Sequence, residues 1–150
     1  MINIKQTLYN RCQEVLLSKI DELEIIITSI NQSKSTETKS SAGDKFETGR
    51  AMMQMEEDKI TAQLEIAKHT YNKLSNINIE QHSETIRLGS LVKTKLRHYF
   101  LTVALGKIRI NDETFFCISE EAPIGQQLLG KSIGNTIEFN KIKDKITQII

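Results

Sequence analysis

The chain has 150 residues, 39% of them hydrophobic and 26% charged, with a net charge of +1. That size and balance suit one or two compact globular domains. No apolar run approaches the roughly 20 residues of a membrane span, and the opening stretch MINIKQTLYNRCQEV lacks the basic-then-apolar order of a signal peptide. The two cysteines, Cys12 and Cys117, show no Cys-x-x-Cys or Cys/His spacing. They argue against a disulfide scaffold or a zinc site and fit a reducing, cytoplasmic setting.

The first segment places apolar residues at Ile4, Leu8, Cys12, Val15, Leu16, Ile20, Leu23, Ile27 and Ile30. Steps of mostly four and three predict one apolar stripe on a helix. The polar run at 31–41, rich in Ser, Thr and Lys, reads as a loop or frayed tip. A second segment follows with Met53, Ile60, Leu64, Ala67, Tyr71, Leu74 and Ile77 or Asn78 on a heptad seam. No proline interrupts either segment. Two such helices joined by a short polar connection are expected to pack antiparallel over residues 1–78, with the tip near 40–50. Helices of about 30 residues would make a rod of roughly 45 Å, extending well past a small domain.

Residues 79–85 read as a linker. From residue 86 the apolar runs shorten, and 90–94, 98–105, 114–118, 136–139 and 145–150 are predicted strands. Pro123 opens and Gly130 closes a predicted short helix. The fold class is therefore α+β: an antiparallel helical hairpin, then a small, mostly antiparallel sheet domain over 86–150 with one helix. Charge is uneven. Through Glu84 there are 10 basic and 13 acidic residues, and from Thr85 there are 10 basic and 6 acidic. Lys93, Lys95, Arg97 and His98 cluster near a strand turn, where they read first as a solvated edge and second as a surface for a partner protein or nucleic acid.

The tip reads Gly43-Asp44-Lys45-Phe46-Glu47-Thr48-Gly49-Arg50. Asp44 and Glu47 are three apart, which at a helix start places both on one face. The same spacing fits a capping box, and Ser41-x-x-Asp44 offers a second capping register. Acidic residues in a first turn also complement the helix dipole. Of the methionines after the tip, Met53 fits the seam, whereas Met52 and Met55 are candidates for a contact surface. His69, His82 and His98 share no metal-ligand spacing, and the glycines at 125, 130 and 134 lack the context of a phosphate loop. Cys12, on the stripe, and Cys117, in an apolar strand, read as core thiols.

Taken together, these segments resemble the Gre-type transcript-cleavage factors of bacteria. Gly43-Asp44-Lys45-Phe46-Glu47 resembles the family's Gly-Asp-x-x-Glu-Asn-Ala tip. Leu88-Gly89-Ser90-Leu91-Val92 resembles its Gly-Ser-x-Val entry strand. The run from Ala122-Pro123-Ile124 through Leu128-Leu129-Gly130-Lys131 to Gly134-Asn135 resembles its Ser-Pro-Ile-x-x-Ala-Leu-x-Gly-Lys-x-x-Gly-Asp sequence. The resemblance implies a coiled coil followed by an FKBP-like domain. It implies an accessory factor, not itself an enzyme, that binds RNA polymerase as a monomer, inserts its tip in the secondary channel and stimulates cleavage of backtracked RNA. The partners implied are the polymerase, the nascent RNA 3′ end and, through the complex, DNA.

The resemblance further implies that Asp44 and Glu47 hold a second Mg²⁺ jointly with the polymerase, where two metals assist phosphodiester hydrolysis. Gly43, Lys45, Arg50, Lys93, Lys95 and Arg97 would then contact the partner. After Glu47 the family continues Asn-Ala-Glu-Tyr, where this chain has Thr48-Gly49-Arg50-Ala51. That departure favours a second reading, a channel-binding regulator or inhibitor without cleavage activity. A third is a coiled-coil adaptor for other proteins. Peptidyl-prolyl isomerase activity would need an aromatic-lined pocket that so few aromatics are poorly able to supply.

Overall fold

Apolar residues recurring every three or four positions dictate two long helices. α1 spans Ile4–Glu37 (34 residues) and α2 spans Gly43–Ser75 (33 residues), each about 50 Å long. The structure, a computed structural model, describes residues 3–37 and 43–150, without the side chains of 37 and 43–46. α1 begins with a cap: the Gln6 amide donates to Asn3 Oδ1 at 3.2 Å, satisfying one of the free N–H groups of a helix start.

The described chain forms two compact units, Glu14–Asn72 and Met1–Gln13 with Lys73–Ile150. In the first, Ile20 and Leu23 of α1 close on Ile60, Leu64 and Ala67 of α2, with Ile27, Ile30 and Tyr71 alongside. The pairing is antiparallel. Glu24 lies 3.8 Å from Lys68 and Lys34 meets Glu57, so positions rise on one helix as they fall on the other. Val15 is 37% exposed; the seam runs through its neighbour Leu16 instead, because one residue is about 100° of helix. The run 31–37, expected as loop, is helix. Its polar side chains are used within the hairpin, with Lys34 Nζ donating to Gln54 Oε1 at 2.5 Å and Thr36 Oγ1 to the Gln32 carbonyl at 3.1 Å. Residues 38–41 of that run lie outside the described residues.

The second unit holds a six-stranded mixed sheet in the order β3-β4-β2-β1-β6-β5. The strands are β1 Leu91–Thr94, β2 His98–Thr102, β3 Gly106–Ile110, β4 Glu113–Ser119, β5 Thr136–Phe139 and β6 Ile142–Ile149. The sheet is mostly antiparallel, as expected; its parallel pair is β2–β4, with His98 opposite Phe115 and Thr102 opposite Ser119. A single strand over 98–105 is corrected. The strand ends at Thr102, and Gly106 (φ 72°) starts β3, which turns at Asn111-Asp112 with both φ positive, the geometry of a tight two-residue hairpin. Asn140-Lys141 makes the equivalent turn between β5 and β6, so β6 starts at Ile142 and not near 145.

One sheet face carries Val92, Tyr99, Leu101, Ile137 and Ile146, covered by Ile124 and Leu128 of α3 (Pro123–Leu128). α3 sits close because Gly125 has no side chain: a Cβ there would stand 2.1 Å from the Ser119 carbonyl oxygen. α3 also guards the open edge of β5. Gln127 Nε2 donates to the Glu138 carbonyl at 2.6 Å and the Glu138 amide donates to Gln127 Oε1 at 2.8 Å, occupying groups that would otherwise recruit another strand. The opposite face carries Leu91, Phe100, Phe115 and Cys117, all buried. The base of α1 meets it there, with Cys12 Sγ 3.5 Å from Cys117 Sγ. Tyr9 Oη donates to the Leu74 carbonyl at 2.9 Å, joining the bases of the two helices.

Lys5 is buried at 5% exposure. Desolvation, then the nearby Arg87 charge, pushes its pKa below 10.5.

Leu64→Ala is expected to cost about 2–5 kcal/mol in urea unfolding, whereas Ile66→Ala, at a position 67% exposed, should stay within about 0.5 kcal/mol. For Lys5, the folded state releases its proton more readily than the unfolded state, so stability rises as pH approaches 10.5. Lys5→Met should therefore stabilise the fold at neutral pH, with the gain shrinking as pH is raised. A gain independent of pH would contradict this account.

Candidate functional site at the hairpin tip

α2 starts at Gly43, which makes Asp44 its second residue and Glu47 its fifth. A separation of three puts both on the same side of the first turns. Glu47, Thr48 and Arg50 are exposed and Gly49 is half-buried. The side chains of Gly43, Asp44 and Lys45 lie outside the described residues, so only their place on the helix is established. Asp44 and Glu47 both lie in the opening turns of α2, positions where acidic residues also complement the helix dipole.

A polar network lies further along the same helices. Lys34 of α1, whose side chain is 12% exposed, pairs with Glu57 and Gln54 of α2. Gln54 Nε2 in turn donates to Asp58 Oδ1 at 2.9 Å. The part-buried, charge-assisted Lys34–Glu57 pair at its centre holds the C-terminal turns of α1 to α2. Sequence reasoning missed it because Lys34 sits in a run whose composition signals a loop. The usable signal was its helical phase with Ile27 and Ile30. Beyond the network, Met52 and Met55 are 66% and 72% exposed, while Met53 is half-buried on the seam.

The basic residues near the β1–β2 turn do not form one patch. Lys93 pairs in register with His98, on the face that carries Phe100 and Phe115. Arg97 is on the other face, its guanidinium carbon 5.0 Å from the Phe116 ring centre and 5.7 Å from that of Phe139. Lys107 Nζ also reaches Phe116, at 5.7 Å. Lys95 is exposed in the turn, and its amide donates to the Lys145 carbonyl at 3.0 Å. A cavity of about 50 Å³ lies beside Arg97, Tyr99, Phe139 and Ile142. Burial raises the Tyr99 pKa. Asp144 is committed there to Thr94 Oγ1 (2.5 Å) and the Leu96 amide (3.2 Å). The space is far below the roughly 300 Å³ of small-molecule sites.

Among the described residues, no group of three His, Cys, Asp or Glu side chains is placed to hold a metal ion. His98 Nδ1 lies 3.5 Å from Glu113 Oε2 and its ring stacks on Phe115 at 5.2 Å. An exposed Glu47 with Asp44 one turn away on the backbone suits a hydrated divalent cation shared with another molecule's ligands, since Mg²⁺ takes one or two carboxylates and keeps its waters. No helix of the described chain is long and apolar enough to cross a membrane.

The fold is thus a long antiparallel helical hairpin followed by a mixed sheet domain with one short helix, the order of elements expected from the Gre-type resemblance. Among solved structures the chain is similar to one titled "Structure of the transcription factor Gfh1", at 19% identity over 91% of this chain and 92% of that one, with a TM-score of 0.36. No protein-family model matches the sequence, and no curated protein matches it.

Removing the Lys34 contact should loosen the tip without unfolding the sheet. Lys34→Ala is expected to lower amide-exchange protection in residues 31–37 by about tenfold, the loss of one charge-assisted hydrogen bond at roughly 1.5 kcal/mol, with strands β1–β6 unchanged.

Proposed function

We propose that this protein is a transcription factor that binds RNA polymerase and uses its hairpin tip to place Asp44 and Glu47 in the enzyme's active centre. The observation that carries the reading is the position of these two carboxylates: one turn apart in the opening turns of α2, with Glu47 exposed. The motif resemblance at 43–47, 88–92 and 122–135 supplies the partner.

In this reading the polymerase provides the nuclease, and a second Mg²⁺ held between its own ligands and the tip supplies charge stabilisation for RNA hydrolysis. The tip residues then act by position. Three-residue spacing on a helix delivers both carboxylates to one side, and the Lys34–Glu57–Gln54 cluster keeps the end of α1 paired with α2. Arg50, exposed on the turn after Glu47, is suited to an RNA phosphate. Lys93, Lys95 and Arg97, divided between two faces and a turn, are assigned to the partner's surface as separate contacts.

A second reading, occupation of the channel without cleavage, is favoured by Thr48-Gly49-Arg50 in place of the family's Asn-Ala-Glu. A stalled, backtracked elongation complex with labelled RNA and Mg²⁺ separates the two. Wild-type protein should accelerate 3′-end shortening. Asp44→Ala with Glu47→Ala should lose the acceleration, at least about 100-fold, while binding persists. Binding without acceleration by the wild type would establish the regulator instead. No binding would leave the adaptor.

A further inference from the structure

Two thiols separated by 105 positions in the chain meet inside the sheet-bearing unit. Cys12, in the first turns of α1, is 0% exposed, and Cys117, in β4, is 1% exposed. Their sulfurs are 3.5 Å apart and both are free. Around them Leu8, Phe100 and Phe115 are also fully buried, so packing alone would be served by two small apolar side chains. Two thiols in van der Waals contact across a helix–sheet interface need to close by only about 1.5 Å to reach a disulfide.

We propose that Cys12 and Cys117 form a reversible disulfide, driven by a hydroperoxide, that ties the base of α1 to strand β4. The step balances as follows. One thiolate sulfur attacks a peroxide oxygen, the O–O bond breaks, and water leaves once the departing oxygen is protonated, giving a sulfenic acid. The second sulfur then attacks that sulfenic sulfur and expels its hydroxyl, which leaves as water. Two thiols give up two electrons and two protons, and hydrogen peroxide is reduced to two waters.

Either sulfur can donate its hydrogen to the other across this contact, so whichever is first oxidised to the sulfenic acid already has the other in place as its resolving thiol. Because neither thiol is exposed, oxidant enters only when the helix base opens, and the bridge forms more slowly than on a surface thiol.

The full chain, reduced and freed of reductant, is treated with hydrogen peroxide and examined by non-reducing denaturing electrophoresis and peptide mass mapping. The expected result is one intramolecular bridge, with the peptides of Cys12 and Cys117 joined at a mass lower by two hydrogens. The chain should migrate faster, revert on adding a thiol reductant, and unfold roughly 10 °C higher when bridged. Cys117→Ser should leave Cys12 as a trappable sulfenic acid. If that variant fails to fold, the wild-type map decides the matter alone. Thiols that stay free under peroxide sufficient to oxidise an exposed control cysteine would overturn the proposal. So would bridges between chains, or oxidation of one cysteine without closure.

Discussion

The seam where Ile20 and Leu23 of α1 close on Ile60, Leu64 and Ala67 of α2 is the contact on which the candidate site depends. A lone helix of this length gains little in water, because most helix stability in proteins comes from burying an apolar face. Pairing the two stripes supplies that burial. It also sets the register that brings Lys34 to Glu57 and Glu24 to Lys68, and it carries α2 back to the turns that hold Asp44 and Glu47. Without the seam those carboxylates would be two acidic residues on a segment with no fixed partner helix.

The compact units also separate charge and chemistry. The hairpin unit, Glu14–Asn72, has 11 acidic and 7 basic residues; the sheet-bearing unit has 8 and 13. That gives balances of −4 and +5 in a chain whose net charge is +1. The sheet unit also contains the first turns of α1 and the last of α2, so its core is completed by helix residues. Leu8, Cys12 and Leu74 are each 0% exposed. A sheet domain of about 65 residues is near the lower limit for an independent core, and these side chains add to it.

Much of this was legible in the sequence. Spacing of three and four located both helices and nearly every seam residue, and short apolar runs bounded by turn residues located five of the six strands. What escaped has physical causes. Residues 31–37 have a loop's composition, but Lys34 is used across the hairpin and the helix continues. β3, with Lys107 and Arg109 alternating with isoleucines at an exposed edge, carries one apolar face only and fell between two predicted strands. Lys93 and Arg97 looked like one cluster because sequence distance does not show that alternating strand residues point to opposite faces. The Cys12–Cys117 contact joins a helix base to a strand through tertiary packing, which no local pattern encodes. The tip pair comes from spacing and resemblance together, and the structure adds that both positions lie in the opening turns of α2.

The proposed delivery of the tip carboxylates into a polymerase active centre is tested most directly by position. A photo-cross-linking amino acid in place of Glu47, with a control in place of Ile26 (40% exposed on α1), would be activated in an assembled, backtracked elongation complex. The account expects position 47 to cross-link to the polymerase segment carrying the metal-binding aspartates or to the RNA 3′ end, and position 26 to link elsewhere. A position-47 derivative that binds the complex yet cross-links only to its outer surface would contradict it.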